Sequence, residues 1–178
     1  MESKNSAKNC PPHKQSKVLF FPSEYAHKKL LKKLAIAKKY IYVCIYCLTN
    51  DRIAAILYDL YTKGVDVRII TDDETAENKG SDLEPLADAG VPIRFDNNKM
   101  ARMHNKFVII DDKLVINGSF NFTTSAYKSN NENLVISYEK NLISAFKSEF
   151  EKLWEKFEVA ELPRGNAEMP YRYTKYLK

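Results

Sequence analysis

The chain has 178 residues, 44% of them hydrophobic, and a formal net charge of +5, which is enough for a single globular domain with a proper core. Its longest apolar run, Tyr40 to Leu48, is far shorter than the ~20 residues that cross a bilayer, and the polar, lysine-dotted start lacks the apolar stretch of a secretory signal. Neither a transmembrane helix nor a signal peptide is therefore expected, and the odd, sparse set Cys10, Cys44 and Cys47 suits a reducing compartment.

Residues 1–16 read as a flexible basic N-terminal segment. A strand is predicted over 17–21, then a helix over 24–39 with Ser23 as its N-cap and Glu24 suiting its positive end. Lys28, Lys29, Lys32, Lys33, Lys38 and Lys39 alternate there with Leu30, Leu31 and Leu34. Residues 1–40 carry ten lysines against Glu2 and Glu24, so the remainder is net acidic. The lysine face is either an ordinary solvated helix surface or a polyanion-binding surface for nucleic acid or an anionic membrane, with Lys28, Lys29, Lys32 and Lys33 as candidate substrate contacts.

The run YIYVCIYCL predicts a strand over 40–48. Cys44 and Cys47, three apart, should face opposite sides of it, so they read as small hydrophobes rather than as a redox or zinc pair. Cys10-Pro-Pro-His13 could be half a zinc site, but no second half follows. No metal and no cofactor are expected. A helix over 51–63, capped by Thr49 or Asn50 and ended by Gly64, leads to a strand over 65–71. A short helix over 82–89 ends at Gly90, and a strand follows over 91–95.

The most informative stretch comes next. His104, Lys106, Asp111, Gly118, Ser119 and Asn121 form the pattern H-x-K-x4-D-x6-G-S-x-N, followed by Glu132. KFVIID and KLVING read as two antiparallel strands joined at Asp111-Asp112-Lys113. Side chains two apart share a face, so His104 and Lys106 should converge, as should Ser119 and Asn121 beyond the second strand. An imidazole with three hydrogen-bond donors suits a phosphodiester: the imidazole attacks phosphorus, and the donors hold the non-bridging oxygens. Asp111 has the opposite parity and reads as a structural turn carboxylate. Gly118 suits a close backbone approach or a positive φ. Glu132, at the head of a strand over 133–138, could orient the imidazole.

An amphipathic helix over 138–157 closes the domain, with Leu142, Phe146, Phe150, Leu153, Trp154 and Phe157 as core residues. Residues 158–178, with Pro163, Gly165 and Pro170, read as an irregular tail. The alternation of strands and helices indicates an α/β fold with one mixed sheet flanked by helices on both faces, over residues 17–157. The chemistry needs a general acid and base besides the nucleophile. His13 and His27 lie in no second copy of the motif, so a two-fold homodimer, one His104 attacking and the other protonating the leaving oxygen, is the economical arrangement.

The motif resembles the HKD motif of the phospholipase D superfamily. VLFFPSE, GVDVRIITDD, AGVPIRFD and HNKFVIID resemble its mitochondrial cardiolipin hydrolase (Zucchini) group in particular, an endonuclease of the piRNA pathway. The resemblance implies a phospholipase D-like fold with one HKD motif per chain, metal-independent cleavage through a phosphohistidine, a homodimer with its cleft on the dimer axis, and Glu132 in the orienting role. The N-terminal anchor and the zinc-binding insertion of that group have no counterpart here, which suggests a cytoplasmic protein, with a peripheral position on the mitochondrial outer surface as the alternative. Two substrates compete: single-stranded RNA or DNA, favoured by the basic N-terminal part, and cardiolipin or another anionic phospholipid. A binding module with a decayed site is a third class, against which the intact motif argues.

Overall fold

The computed structural model describes residues 15–76, 80–162 and 171–177. The segment 1–14, with Cys10 and His13, lies outside them. Ten strands and six α-helices are seen among the described residues. In chain order they are β1 (Lys17–Phe21), α1 (Glu24–Leu34), β2 (Tyr40–Ile45), β3 (Leu48–Thr49), α2 (Asp51–Thr62), β4 (Asp66–Thr71), α3 (Leu83–Asp88) and β5 (Ile93–Phe95). There follow β6 (Lys106–Ile110), β7 (Leu114–Gly118), β8 (Phe122–Thr123), α4 (Thr124–Lys128), β9 (Glu132–Ser137), α5 (Lys140–Lys156), β10 (Glu158–Val159) and α6 (Tyr171–Thr174).

Eight strands form one mixed sheet in the order β1-β9-β7-β6-β2-β4-β5-β10. β2, β4 and β5 run parallel, and the other pairings are antiparallel. The sheet is covered on both faces. Ile41, Val43 and Ile45 of β2 meet Leu30 and Leu34 of α1 and Ile53 and Leu57 of α2 in one cluster. Tyr40, Tyr42 and Cys44, of opposite parity, meet Ile143, Phe150 and Leu153 of α5 in the other. Period-two alternation thus splits one wholly buried strand between two cores. The apolar stripe of the last long helix packs on that core: Phe150 is buried, 4.8 Å from Tyr42 and 5.7 Å from Trp154, ring to ring, and Phe146 and Trp154 are partly buried against it.

Three elements differ from the sequence reading. The first helix stops at Leu34 rather than Lys39, because Asp111 draws the next stretch into a turn. Its carboxylate accepts the backbone N–H groups of Lys38, Lys39 and Tyr40 at 2.8–3.2 Å. The run YIYVCIYCL breaks after Ile45. The Tyr46 carbonyl takes the hydroxyls of Thr71 and Thr75 at 3.2 and 2.6 Å, and the Cys47 carbonyl takes the N–H of Phe122 at 3.1 Å, so β3 pairs with β8 in a small separate sheet. Cys47 therefore lies outside the strand, while Cys44 is buried with its Sγ 3.3 Å from Met103 Sδ, and burial pushes its thiol pKa up. The described parts of the tail, 158–162 and 171–177, are also more regular than expected. Glu158–Val159 pair with β5, and Tyr173 of α6 is fully buried with its hydroxyl donating to Asp82 at 2.9 Å.

Candidate active site

The hairpin of β6 and β7 is closed by Asp111 and Asp112, both at positive φ (54° and 52°), with the Lys113 N–H returning to the Ile110 carbonyl at 2.8 Å. That is a β-turn with positive φ at both central positions, and because Ile110 pairs with Leu114 the hairpin loop holds three residues, Asp111 to Lys113. Asp111 faces away from the motif's other polar groups and is buried. Burial alone would raise its carboxyl pKa, but the N–H groups of Tyr40, Lys39 and Lys38 and the Lys113 ammonium outweigh it and hold the pKa below the ordinary value. Its place in the fold is structural.

The remaining motif residues gather at the other end of the hairpin. Strand register fixes this: Ile45 is paired with Lys106, Gly118 with Leu134, and Phe21 with Glu132. The C-terminal ends of β2, β4 and β7 and the N-terminal ends of β6 and β9 therefore meet at one edge, the rim where open α/β sheets place ligands. Gly118 is required by the close packing there. A Cβ on it would lie 2.1 Å from the Asn133 carbonyl oxygen.

His104 is exposed and Lys106 half-buried. The Lys106 ammonium lies 3.2 Å from His104 Nδ1 and donates to the His104 carbonyl at 2.8 Å. Burial lowers the Lys106 pKa, with the nearby Glu132 charge opposing. Ser119 donates its hydroxyl to Glu132 and accepts the Asn133 N–H at 3.1 Å. Asn130 holds the second Glu132 oxygen at 3.2 Å. Glu132 is thus engaged by Ser119 and Asn130 rather than by His104, whose Nδ1 faces Lys106 instead. Asn121 is half-buried, and its Oδ1 is buried without a hydrogen-bond partner among the described residues.

Two of the candidate lysines of α1 pack on rings outside this group. Lys33 lies 5.8 Å from the Tyr138 ring, beyond the end of β9 opposite Glu132, and Lys29 lies over Tyr25 at 4.3 Å. Three neighbours of His104 were not singled out in the sequence. Tyr46 packs its half-buried ring 4.8 Å from the imidazole and 5.5 Å from the Lys106 ammonium. Asp72, wholly buried at the end of β4, accepts the Met103 N–H at 3.2 Å and so anchors the residue before His104. Arg102 is ion-paired with Glu74. The signal for Tyr46 is masked by the apolar run containing it, whereas Asp72 lies in the TDD that ends a strand.

Comparison with known proteins identifies the family and the fold. The family model described as cardiolipin synthase, PLD-like domain, matches residues 30–154. A mitochondrial cardiolipin hydrolase of Chlamydomonas reinhardtii is 40% identical over 139 residues, 75% of this chain and 62% of its own length. The Xenopus laevis protein of that name is 35% identical over 153 residues, 85% of this chain and 68% of its own length. The chain thus spans between half and about two thirds of the length of the curated relatives it matches. Among solved structures, a phospholipase D family member, Nuc from Salmonella typhimurium, superposes with a TM-score of 0.77 at 28% identity, covering 85% of this chain and 99% of that one. NucT from Helicobacter pylori superposes with a TM-score of 0.68 at 26% identity, covering 82% and 100%.

Proposed function

This chain belongs to the phospholipase D-like domain family, and on that premise we propose that it is a metal-independent phosphodiesterase acting through a phosphohistidine on single-stranded RNA or DNA. The observation that carries the reading is the contact of Lys106 with His104 Nδ1 at the open rim of the sheet. The ammonium covers an imidazole lone pair. An anionic phosphate oxygen competes for that ammonium and draws it away, which frees the imidazole at the moment the phosphorus is in place.

The imidazole then attacks phosphorus. A P–N bond forms, the bond to the leaving oxygen breaks, and that oxygen takes a proton. In this reading a second imidazole supplies the proton. His27 cannot supply it: the ring is wholly buried, stacked at 3.9 Å on Tyr127, and burial first, then Arg52, lower its pKa to about 4. We assign this acid to His104 of a second copy in a two-fold dimer. In the second step the same group accepts a proton from water, which attacks phosphorus, breaks the P–N bond and releases the phosphomonoester. Lys106 and Asn121 donate to the oxygens, and Ser119 joins them once its hydroxyl turns from Glu132.

The net charge of +5 and the exposed Arg102 beside His104 favour a polyanionic strand. The second reading, a phospholipase D acting on cardiolipin or another anionic phospholipid, is favoured by the names of the relatives. No helix among the described residues is long and apolar enough to cross a membrane. A cytoplasmic position goes with the first reading, and a peripheral one on the mitochondrial outer surface with the second. The test is cleavage of end-labelled single-stranded RNA and DNA in EDTA, with His104→Ala in parallel. Cutting by the wild type alone supports the nuclease. Hydrolysis of cardiolipin vesicles with no strand cutting replaces it with the phospholipase.

A further inference from the structure

A groove of about 340 Å³ runs beside His104, lined by Arg102, Met103, His104, Asn105, Leu153 and Phe157. Its lining is of two kinds. Met103 and Leu153 are buried members of the α5-side core, and Phe157 packs against the same cluster from the end of α5. Arg102 and Asn105 are exposed and polar. Two lining groups are held in place. Arg94 donates to the carbonyls of Phe157, at 3.0 Å, and Trp154, which fixes the C-terminus of α5. The pairing of Arg102 with Glu74 restrains the guanidinium.

We infer that this groove receives the base of the nucleotide flanking the phosphate attacked by His104. The inference rests on the nuclease reading and names the subsite that reading requires. The volume is in the range of small-ligand pockets. A base has apolar faces and polar edges: the partly buried Phe157, with the small exposed parts of Met103 and Leu153 beneath it, meets a face, and Arg102 and Asn105 meet the edges. Aromatic and guanidinium groups are the usual stacking partners of unpaired bases. An acyl chain would need a longer, continuous apolar channel, and here the two polar side chains interrupt the lining. Because His104 is itself part of the lining, a base held there places its adjoining phosphate at the imidazole.

The test uses an end-labelled single strand with one abasic nucleotide, compared with the same strand intact. The wild type should cut beside the abasic position about tenfold more slowly than beside the corresponding base, the effect expected from one lost stacking contact. In Phe157→Leu and in Arg102→Gln that gap should shrink towards unity. Equal cutting of both strands by the wild type, or a gap unchanged in both variants, would overturn the groove assignment while leaving the nuclease reading in place. Hydrolysis of cardiolipin vesicles with no strand cut at all would overturn both.

Discussion

The Lys106 ammonium sits 3.2 Å from Nδ1 of His104, and the same group donates to the His104 carbonyl at 2.8 Å. One cation therefore restrains both the ring and the backbone of the proposed nucleophile. His104→Ala should lower turnover by at least roughly a thousandfold. Lys106→Met, which keeps the stem and removes the charge, should lower it about a hundredfold. His104 is exposed, so its loss should leave the far-ultraviolet spectrum and unfolding midpoint near those of the wild type. Single-turnover rates on a phosphodiester decide the matter, and comparable rates for His104→Ala and wild type would remove His104 from the mechanism.

Gly118 tolerates no side chain. A methyl group at this position would sit 2.1 Å from one backbone oxygen and 3.0 Å from the Leu134 Cα, and neither can move without parting β7 from β9. Gly118→Ala should cost about 1–3 kcal/mol. It should also lower activity, because the Ser119 contacts to Asn133 and Glu132 begin one residue on. Urea unfolding measures the first effect and turnover the second. A variant with unaltered stability would contradict the packing.

The motif was legible because its geometry is local. Parity along two strands and a turn put His104 with Lys106 and turned Asp111 the other way. Tyr46 was not legible: the break that exposes its ring is set by Thr71, Thr75 and Phe122, from other parts of the chain. The docking of Tyr173 on Asp82 likewise spans the fold, and no periodicity marks it. The orienting role expected of Glu132 came from its residue type and from the resemblance, whereas Ser119 and Asn130 hold that carboxylate.

Asp111 separates stability from chemistry, because it lies at the opposite end of the hairpin from His104. Its side chain, 1% exposed, accepts three backbone N–H groups. An amide at this position would lose the charge and turn an NH2 toward one of those donors. Asp111→Asn should therefore cost about 2–3 kcal/mol, while the variant that remains folded turns over at close to the wild-type rate. Activity titrated against folded fraction tests this. A loss of rate well beyond the loss of folded protein would mean that Asp111 reaches the site.

His27 should make the fold sensitive to acid. Its ring is wholly buried, with Nε2 3.2 Å from Asn50 Nδ2 and Nδ1 3.3 Å from Arg52 Nη1. The charged neighbours are Arg52 of α2 and Glu24 of α1, themselves paired at 2.7 Å, and Tyr127 of α4 covers the ring at 3.9 Å. Burial and Arg52 lower the pKa to about 4, with Glu24 opposing, against about 6.5 in an unfolded chain. Between those values the unfolded chain binds the extra proton, so the contribution is fully present above pH ~6.5 and is lost as pH falls toward 4. From pH 7 to 4.5 the wild type should lose about 2–3 kcal/mol of unfolding free energy that His27→Gln does not, because the amide carries no titratable group. Parallel urea titrations of the two proteins provide the comparison. Identical pH slopes would mean that His27 takes up its proton without leaving the fold.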